Sequence, residues 1–188
     1  MRALKADEIE VRVGQVYNGG VSMLLYKNAR TDMAILDETF GAMNWQKDYK
    51  EIKGNLYCGV GVWDEDKKEW IWKWDCGTES NTEKEKGEAS DAFKRACVNV
   101  SDGHGVNGIG RELYTAPFIW LDVATEPIPS NNGYTRYKLH DPKELRDIYV
   151  SDIVTEEIDG KLTIKDLELS QRDRYGKKHV IWSNKEGK

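Results

Sequence analysis

Four basic side chains with spacings suited to phosphate binding lie in one segment of predicted helix. The segment is TEKEKGEASDAFKRACV, and its cations are Lys84, Lys86, Lys94 and Arg95. At helical spacing they point away from the apolar residues of the same segment, so they could line a groove. The alternative is a solvated helix face on which the neighbouring carboxylates balance these cations. Helical periodicity alone leaves both interpretations open.

A second mixed cluster combines an aromatic ring with two cations. Tyr26, Lys27 and Arg30 lie where a predicted hairpin meets a predicted helix. A tyrosine ring can stack on a base while a lysine or arginine pairs with a phosphate. The alternative is a tyrosine at the edge of the core beside two solvated cations.

The candidates for catalysis are fewer. Asp102 and His104 lie in the glycine-rich loop VSDGHGVNG, and a lone histidine near one aspartate is usually an ordinary loop pair. Asp64 and Asp66 are followed by two lysines, a pattern typical of a turn. The chain has no phosphate-binding loop, zinc-protease or nucleophile-elbow motif. We therefore predict no catalytic residue, no metal site and no cofactor, with a metal-dependent nuclease using these residues as the alternative.

The first elements that position these residues are a hairpin and a helix. Val13 to Tyr26 contains two β-prone runs around Asn18-Gly19-Gly20, which is hairpin turn chemistry. Asn28 then caps a helix that Gly41 ends in the left-handed conformation. Its predicted apolar face consists of Ala29, Met33, Leu36 and Phe40.

Residues 44 to 77 change to the period of β-strands. Three runs, NWQKDYKEI, LYCGVGVWD and EWIWKWDCG, are separated by turn residues and predict an antiparallel meander. Trp70, Trp72 and Trp74 alternate along the third run, so their indoles project from one face. We interpret these indoles as sheet core and leave them out of the candidate site, because an indole gains most from burial.

The helix that carries the four cations is predicted from Thr82 to about Val98. Its apolar stripe is rich in small residues and can approach the sheet closely. After Leu121, prolines and an Asn-Asn-Gly turn indicate a linker. The fold class is therefore α+β: a hairpin, a helix, a three-stranded meander and a second helix, with a C-terminal β-rich extension. The predicted boundaries are a core domain at 1–122, a linker at 123–133 and an accessory segment at 134–188.

Composition narrows the class of protein. The chain has 188 residues, of which 39% are apolar and 32% charged, and its seven Trp and nine Tyr favour a folded domain. No run reaches the ~18 apolar residues of a membrane-spanning helix, so we expect a cytoplasmic protein without a membrane partner. The net charge of -5 excludes the domain-wide positive field of a duplex-DNA binder. Any nucleic-acid site must be local.

Three motifs, in this order, resemble a known family. ILDETFGAMNW, GTESNTEKEKGEASDAFKRAC and GIGRELYTAPFIW are similar to segments of the single-strand annealing proteins of the Rad-type double-strand-break repair family, and more specifically to their bacteriophage relatives of the Sak kind. The resemblance covers roughly residues 11–121. This chain departs from the family pattern at residues 100–107, which we expect to be an additional loop between the second helix and G-I-G-R.

The resemblance implies an oligomeric recombinase, a ring or filament that needs no ATP and is not an enzyme. It places Lys94 and Arg95 in a groove for single-stranded DNA, with Lys84 and Lys86 at basic positions of the same helix. Tyr26 and Arg30 fall where the family keeps aromatic and basic contacts to DNA, and Arg111 lies in G-I-G-R. Lys27, which lies between Tyr26 and Arg30 in the sequence, is included in the candidate site on its residue type alone. A host single-strand-binding protein is a candidate partner, and a phage-encoded chain would act in the bacterial cytoplasm.

Overall fold

The first sheet of the fold begins with an antiparallel hairpin, which follows a short 3-10 helix at Ala6–Glu8. The computed structural model describes residues 1–78, 84–103, 108–129 and 134–185. Strands β1 (Glu10–Tyr17) and β2 (Gly20–Tyr26) pair around a tight turn, in which Gly19 has φ +80°. A positive φ is the conformation for which the sequence supplies glycine at this point. Strand β6 (Ile119–Asp122) adds to β2 and gives a three-stranded sheet in the order β1-β2-β6.

Helix α1 (Ala29–Phe40) starts at the predicted cap. The Asn28 side-chain oxygen accepts hydrogen bonds from the backbone N–H groups of Arg30 and Thr31, at 2.9 and 3.1 Å. Gly41 follows the helix with φ +87° but ψ 140°, so the prediction of a left-handed helical conformation is wrong in ψ. The buried face also differs from the predicted stripe, because it consists of Thr31, Asp32, Ile35 and Leu36.

The meander and the second helix pack against each other as two layers. Strands β3 (Trp45–Ile52), β4 (Asn55–Asp64) and β5 (Glu69–Cys76) are antiparallel in the order β3-β4-β5. Helix α2 (Lys84–Val98) buries Ala92, Phe93, Ala96 and Cys97. Phe93 stacks on Trp45 with ring centroids 6.2 Å apart, which places the helix on the face of the sheet that also holds the buried side chains of Cys58 and Val60.

Glycine sets how closely α2 approaches the meander. A Cβ atom on Gly77, which directly follows β5, would lie 2.2 Å from the backbone oxygen of Glu88 and 2.8 Å from the backbone nitrogen of Ala92. The absence of a side chain at Gly77 therefore allows the close packing of helix against sheet that the small residues of α2 predict.

The opposite face of the meander carries the three tryptophans. Trp72 and Trp74 stack at 5.6 Å, and each indole lies flat on a glycine of the neighbouring strand, Gly61 and Gly59 respectively. All three indoles are only partly buried. The interpretation as sheet core is therefore wrong for this face: glycines lie beneath Trp72 and Trp74, Trp70 packs against Trp63 with ring centroids 5.5 Å apart, and all three tryptophans stay partly exposed.

The rest of the chain is mainly strand. A short 3-10 helix at Arg111–Thr115 precedes β6. The remaining strands are β7 (Thr125–Ile128), β8 (Arg136–Leu139), β9 (Ile148–Ile158), β10 (Lys161–Arg172) and β11 (Lys178–Ser183). They form a β7-β8 pair and a sheet in the order β11-β10-β9. Strand β7 lies within the segment interpreted as a linker, and the predicted domain boundaries stay a prediction.

The contacts divide the chain into two compact units. One contains Met1–Leu4, Lys27–Arg111 and Glu157–Leu162, and so holds α1, the meander and α2. The other contains Lys5–Tyr26, Glu112–Glu156 and Thr163–Lys188. The described residues contain two α helices and several antiparallel sheets, so the expectation of a mixed α and β fold is confirmed. Neither helix, in the part of the chain that is described, has the length and apolarity to cross a membrane.

Candidate nucleic-acid interface

The cations of helix α2 fall into two groups. Lys84 and Lys86 lie in its first turn and are exposed, whereas Lys94 and Arg95 lie near its end. At 1.5 Å per residue, the rise along the helix from Lys84 to Arg95 is about 16 Å. The structure therefore distributes these four residues along the helix and does not gather them into a single cluster.

Arg95 is tied to the meander. Its Nε lies 3.2 Å from Asp75 Oδ1, and the Asn99 amide donates to Asp75 Oδ2 at 3.1 Å. The arginine side chain is still 48% exposed. A surface ion pair of this kind is worth little in stability, so it orients the guanidinium while leaving it accessible to an anion.

Lys94 lies between this surface and the core. Its side chain is half-buried, and its charge acts on the buried Asp32 of helix α1 by lowering the pKa of that carboxyl. Burial has the larger, opposite effect and raises the pKa of Asp32 to about 6. Lys94 thus contributes positive potential both to the outer surface of α2 and to a carboxylate beneath it.

Lys27 is placed differently from the sequence expectation. Its side chain is 5% exposed, and its ammonium group forms an ion pair with Asp32 Oδ1 on a carboxylate that is 0% exposed. Gly110 packs directly against the Lys27 side chain, because a Cβ atom on Gly110 would lie 2.4 Å from Lys27 Cε. A lysine enclosed in this way has no surface for a phosphate, and we leave Lys27 out of the interface.

The Tyr26 side chain contacts residues of β1. The Arg12 guanidinium carbon lies 5.1 Å from the centroid of the Tyr26 ring, and a hydrogen bond to Glu10 raises the pKa of the tyrosine hydroxyl. Arg30 is exposed at the start of α1. Of the predicted aromatic and basic cluster, only Arg30 therefore presents an exposed cation.

Arg111 is exposed. It follows two glycines at positions where the backbone has a positive φ. Gly108 has φ +89° and Gly110 has φ +71°, while Ile109 between them is 1% exposed. A Cβ atom on Gly108 would lie 2.3 Å from the Val98 carbonyl oxygen. The G-I-G part of the motif thus forms a tight connection at the end of α2, and the following arginine points to the surface.

Two lysines outside the predicted set also combine a cation with an aromatic ring. The Lys50 ammonium lies 4.3 Å from the centroid of Trp74, and the Lys47 ammonium lies 4.8 Å from the centroid of Phe93. Both lysines are on β3 and are exposed. The strand register could have identified Lys50. Gly59 pairs with both Asp48 and Trp74, so Asp48 lies on the tryptophan face, and Lys50, two residues further along β3, lies on the same face.

The acidic residues of the nuclease alternative line an open cavity of about 460 Å³ that includes Asp64, Asp66 and Asp102. Asp64 accepts hydrogen bonds from the backbone N–H groups of Asp66 and Lys67, and the bonds from Lys67 lower the pKa of its carboxyl. This is the predicted turn chemistry. No group of three or more potential metal ligands occurs among the described residues, and His104 lies outside them.

The comparisons with known proteins add no relative. The chain matches no protein-family model, no curated protein and no solved structure.

Proposed function

We propose that this chain binds single-stranded DNA and anneals complementary strands without ATP, as a ring- or filament-forming homo-oligomer in phage-type recombination and repair. The observation that carries the proposal is the way helix α2 packs on the meander with cations facing outward. Ala92, Phe93, Ala96 and Cys97 hold it on the meander, while Arg95 and the first-turn lysines remain exposed. The order of hairpin, helix, meander and helix also agrees with the arrangement that the sequence motifs imply.

The physical basis of the activity would be electrostatic positioning of the strand. Cations along α2 hold phosphates, so that the bases remain turned outward and available to a second strand. Annealing is then faster because the entropy of ordering the strand has already been lost, and no bond chemistry is required.

Oligomerisation reconciles this activity with an acidic protomer. Each copy supplies only a few cations, and the chain as a whole carries a net charge of -5. Adjacent copies would align their α2 surfaces into one groove. Once the first contact with a strand is made, each further contact is intramolecular and strengthens binding.

The proposal is tested by mixing two complementary labelled oligonucleotides with the full chain, without ATP. Faster duplex formation than in protein-free controls is expected, with no requirement for a divalent cation. The metal-dependent nuclease alternative predicts instead that labelled single strands are cleaved when Mg²⁺ is added and stay intact in a chelator. Absence of annealing at any salt concentration would refute the proposal.

Lys94→Ala combined with Arg95→Ala is expected to weaken single-strand binding while the fold is retained. Both side chains lie off the buried stripe of α2, and the pair between Arg95 and Asp75 is exposed. On single strands, each lost phosphate contact should reduce the magnitude of the salt slope by about 0.7. Fluorescence anisotropy of a labelled oligonucleotide at several salt concentrations measures the slope.

The matched control for this variant is Lys67→Ala combined with Lys68→Ala. These lysines lie in the turn between β4 and β5, 2.9 and 2.7 Å from the carboxylates of Asp64 and Glu65. The control removes the same formal charge from another surface, so its salt slope should stay at the wild-type value. Equal slopes for the α2 variant, the control and the wild type would remove α2 from the interface.

We also expect the protein to self-associate. Strand β4 is paired on both sides, whereas β3 and β5 each pair on one side only within the described residues. Such edges can be paired or covered by a neighbour, and head-to-tail addition of identical copies closes to a ring or continues as a filament. Light scattering should report a mass well above 21.6 kDa, and a monomer at micromolar concentration would contradict this expectation.

A further inference from the structure

The turn between β10 and β11 is an exposed basic segment that the proposed interface does not use. We define the basic hairpin loop as residues 172–179, with the sequence RDRYGKKH. It holds two arginines, two lysines and a histidine but only one carboxylate. In a chain of net charge -5 this is a concentrated local excess of positive charge.

The single carboxylate of the loop, Asp173, forms its hydrogen bonds within the loop itself. Asp173 Oδ1 accepts hydrogen bonds from the backbone N–H groups of Tyr175 and Lys177, both at 2.9 Å, and Oδ2 lies 3.2 Å from His179 Nε2. The bonds from Lys177 and His179 lower the pKa of this carboxyl. Asp173 therefore holds the loop in one shape.

Further contacts fix the ends of the loop. The Asp173 N–H donates to the Lys177 carbonyl at 3.0 Å, and the Gly176 N–H donates to the Asp173 carbonyl at 2.9 Å. Arg172 donates to the Gly176 carbonyl at 3.3 Å, and Lys178 lies 3.1 Å from the buried carboxylate of Glu168. A loop with this many internal bonds loses little conformational entropy when it binds a ligand.

Two cations and one ring are left for an external partner. Arg174 and Lys177 have no carboxylate within ion-pair distance among the described residues, and both are exposed. Tyr175 is 79% exposed, and the Arg174 guanidinium carbon lies 4.7 Å from the centroid of its ring. An exposed aromatic ring beside an unneutralised arginine, with a second unneutralised cation two residues further along the loop, is a combination that can bind a base and its flanking phosphates.

We propose that the basic hairpin loop is a second binding site for single-stranded nucleic acid, in which Tyr175 stacks on a base and Arg174 and Lys177 contact phosphates. This inference rests on the proposed function for the identity of its ligand. A single strand is the matching ligand because its bases are free to stack on a side chain, whereas those of a duplex are stacked on each other.

Two variants of the full chain separate the two kinds of contact, with a labelled oligothymidylate as the probe. Arg174→Ala combined with Lys177→Ala should reduce the magnitude of the salt slope by about 1.4, which is 0.7 for each phosphate contact. Tyr175→Ala should weaken binding about tenfold with the slope unchanged, and Tyr175→Phe should bind like the wild type. The control is again Lys67→Ala combined with Lys68→Ala, which removes the same charge as the double variant.

The outcomes distinguish this inference from the proposed function. Wild-type binding that all the loop variants retain overturns the second site and leaves the proposed function intact. Loop-dependent binding by a wild type that does not anneal strands supports the second site and refutes the annealing function. No binding of the oligonucleotide by the wild type overturns both. Loop-dependent binding to anionic lipid vesicles without loop-dependent binding to the oligonucleotide also overturns the inference.

Discussion

Replacing Gly77 with alanine is expected to lower the free energy of unfolding by about 3 kcal/mol. The added Cβ would lie 2.2 Å from the Glu88 carbonyl oxygen and 2.8 Å from the Ala92 backbone nitrogen. Both atoms belong to the backbone of α2, so no side chain can rotate to relieve the overlap. The helix would have to move away from the meander by about 1 Å and lose dispersion contacts along its buried stripe.

Chemical denaturation followed by circular dichroism measures this loss. The control is Gly54→Ala, because Gly54 has φ +76° and open space around its Cβ position. It reports only the strain of a left-handed alanine, about 1 kcal/mol. If Gly77→Ala costs no more than Gly54→Ala, close packing at Gly77 does not limit the approach of α2.

Replacing Lys27 with methionine is expected to lower the free energy of unfolding by about 4 kcal/mol near neutral pH. The substitution leaves the Asp32 carboxylate without its ion-pair partner, on a side chain that is 0% exposed. Of that carboxylate, Oδ2 is already buried without a hydrogen-bond partner among the described residues. Adding Asp32→Asn to the variant should restore most of the lost stability, because it removes the isolated buried charge.

The pH dependence of the Lys27 effect follows from Asp32. In the wild type, burial raises the pKa of this carboxyl from 3.8 to about 6, so the folded state binds the proton more tightly than the unfolded chain. The stability gained from that proton is present below 3.8 and is lost as the pH rises through 6. Lys27→Met should therefore cost little at about pH 4 and most at about pH 8. A cost that is the same at both pH values would contradict the assignment to the buried pair.

Local signals carried much of the fold prediction. The turn at Asn18-Gly19, the cap at Asn28 and the three runs of the meander depend on neighbouring residues in the sequence, and all three features are present. The buried face of α1 depends instead on what packs against it. Asp32 is polar and does not register as a core residue in a hydrophobic pattern, yet its partner Lys27 allows it to be buried.

The candidate site was harder to predict for the same reason. Whether a lysine is solvated, paired or buried depends on residues far away in sequence: Arg95 pairs with Asp75, and Gly110 closes over Lys27. The tryptophan face also depends on register, because Gly59 and Gly61 lie beneath Trp74 and Trp72 only when β4 and β5 pair as they do. Sequence periodicity gives the direction of a side chain but not its neighbours.

Two buried cysteines lie between α2 and the meander. Chemical labelling of these cysteines can measure how often the helix separates from the sheet. Cys58 and Cys97 are fully buried, and burial raises the pKa of Cys58 to about 11 and that of Cys97 well above its ordinary value. Alkylating reagents attack the thiolate, so in the closed state both residues are protected by sterics and by protonation. Their rate of alkylation in native buffer therefore reports how often helix and sheet separate, without any substitution. Cys76, which is partly exposed, provides the internal reference for an accessible thiol.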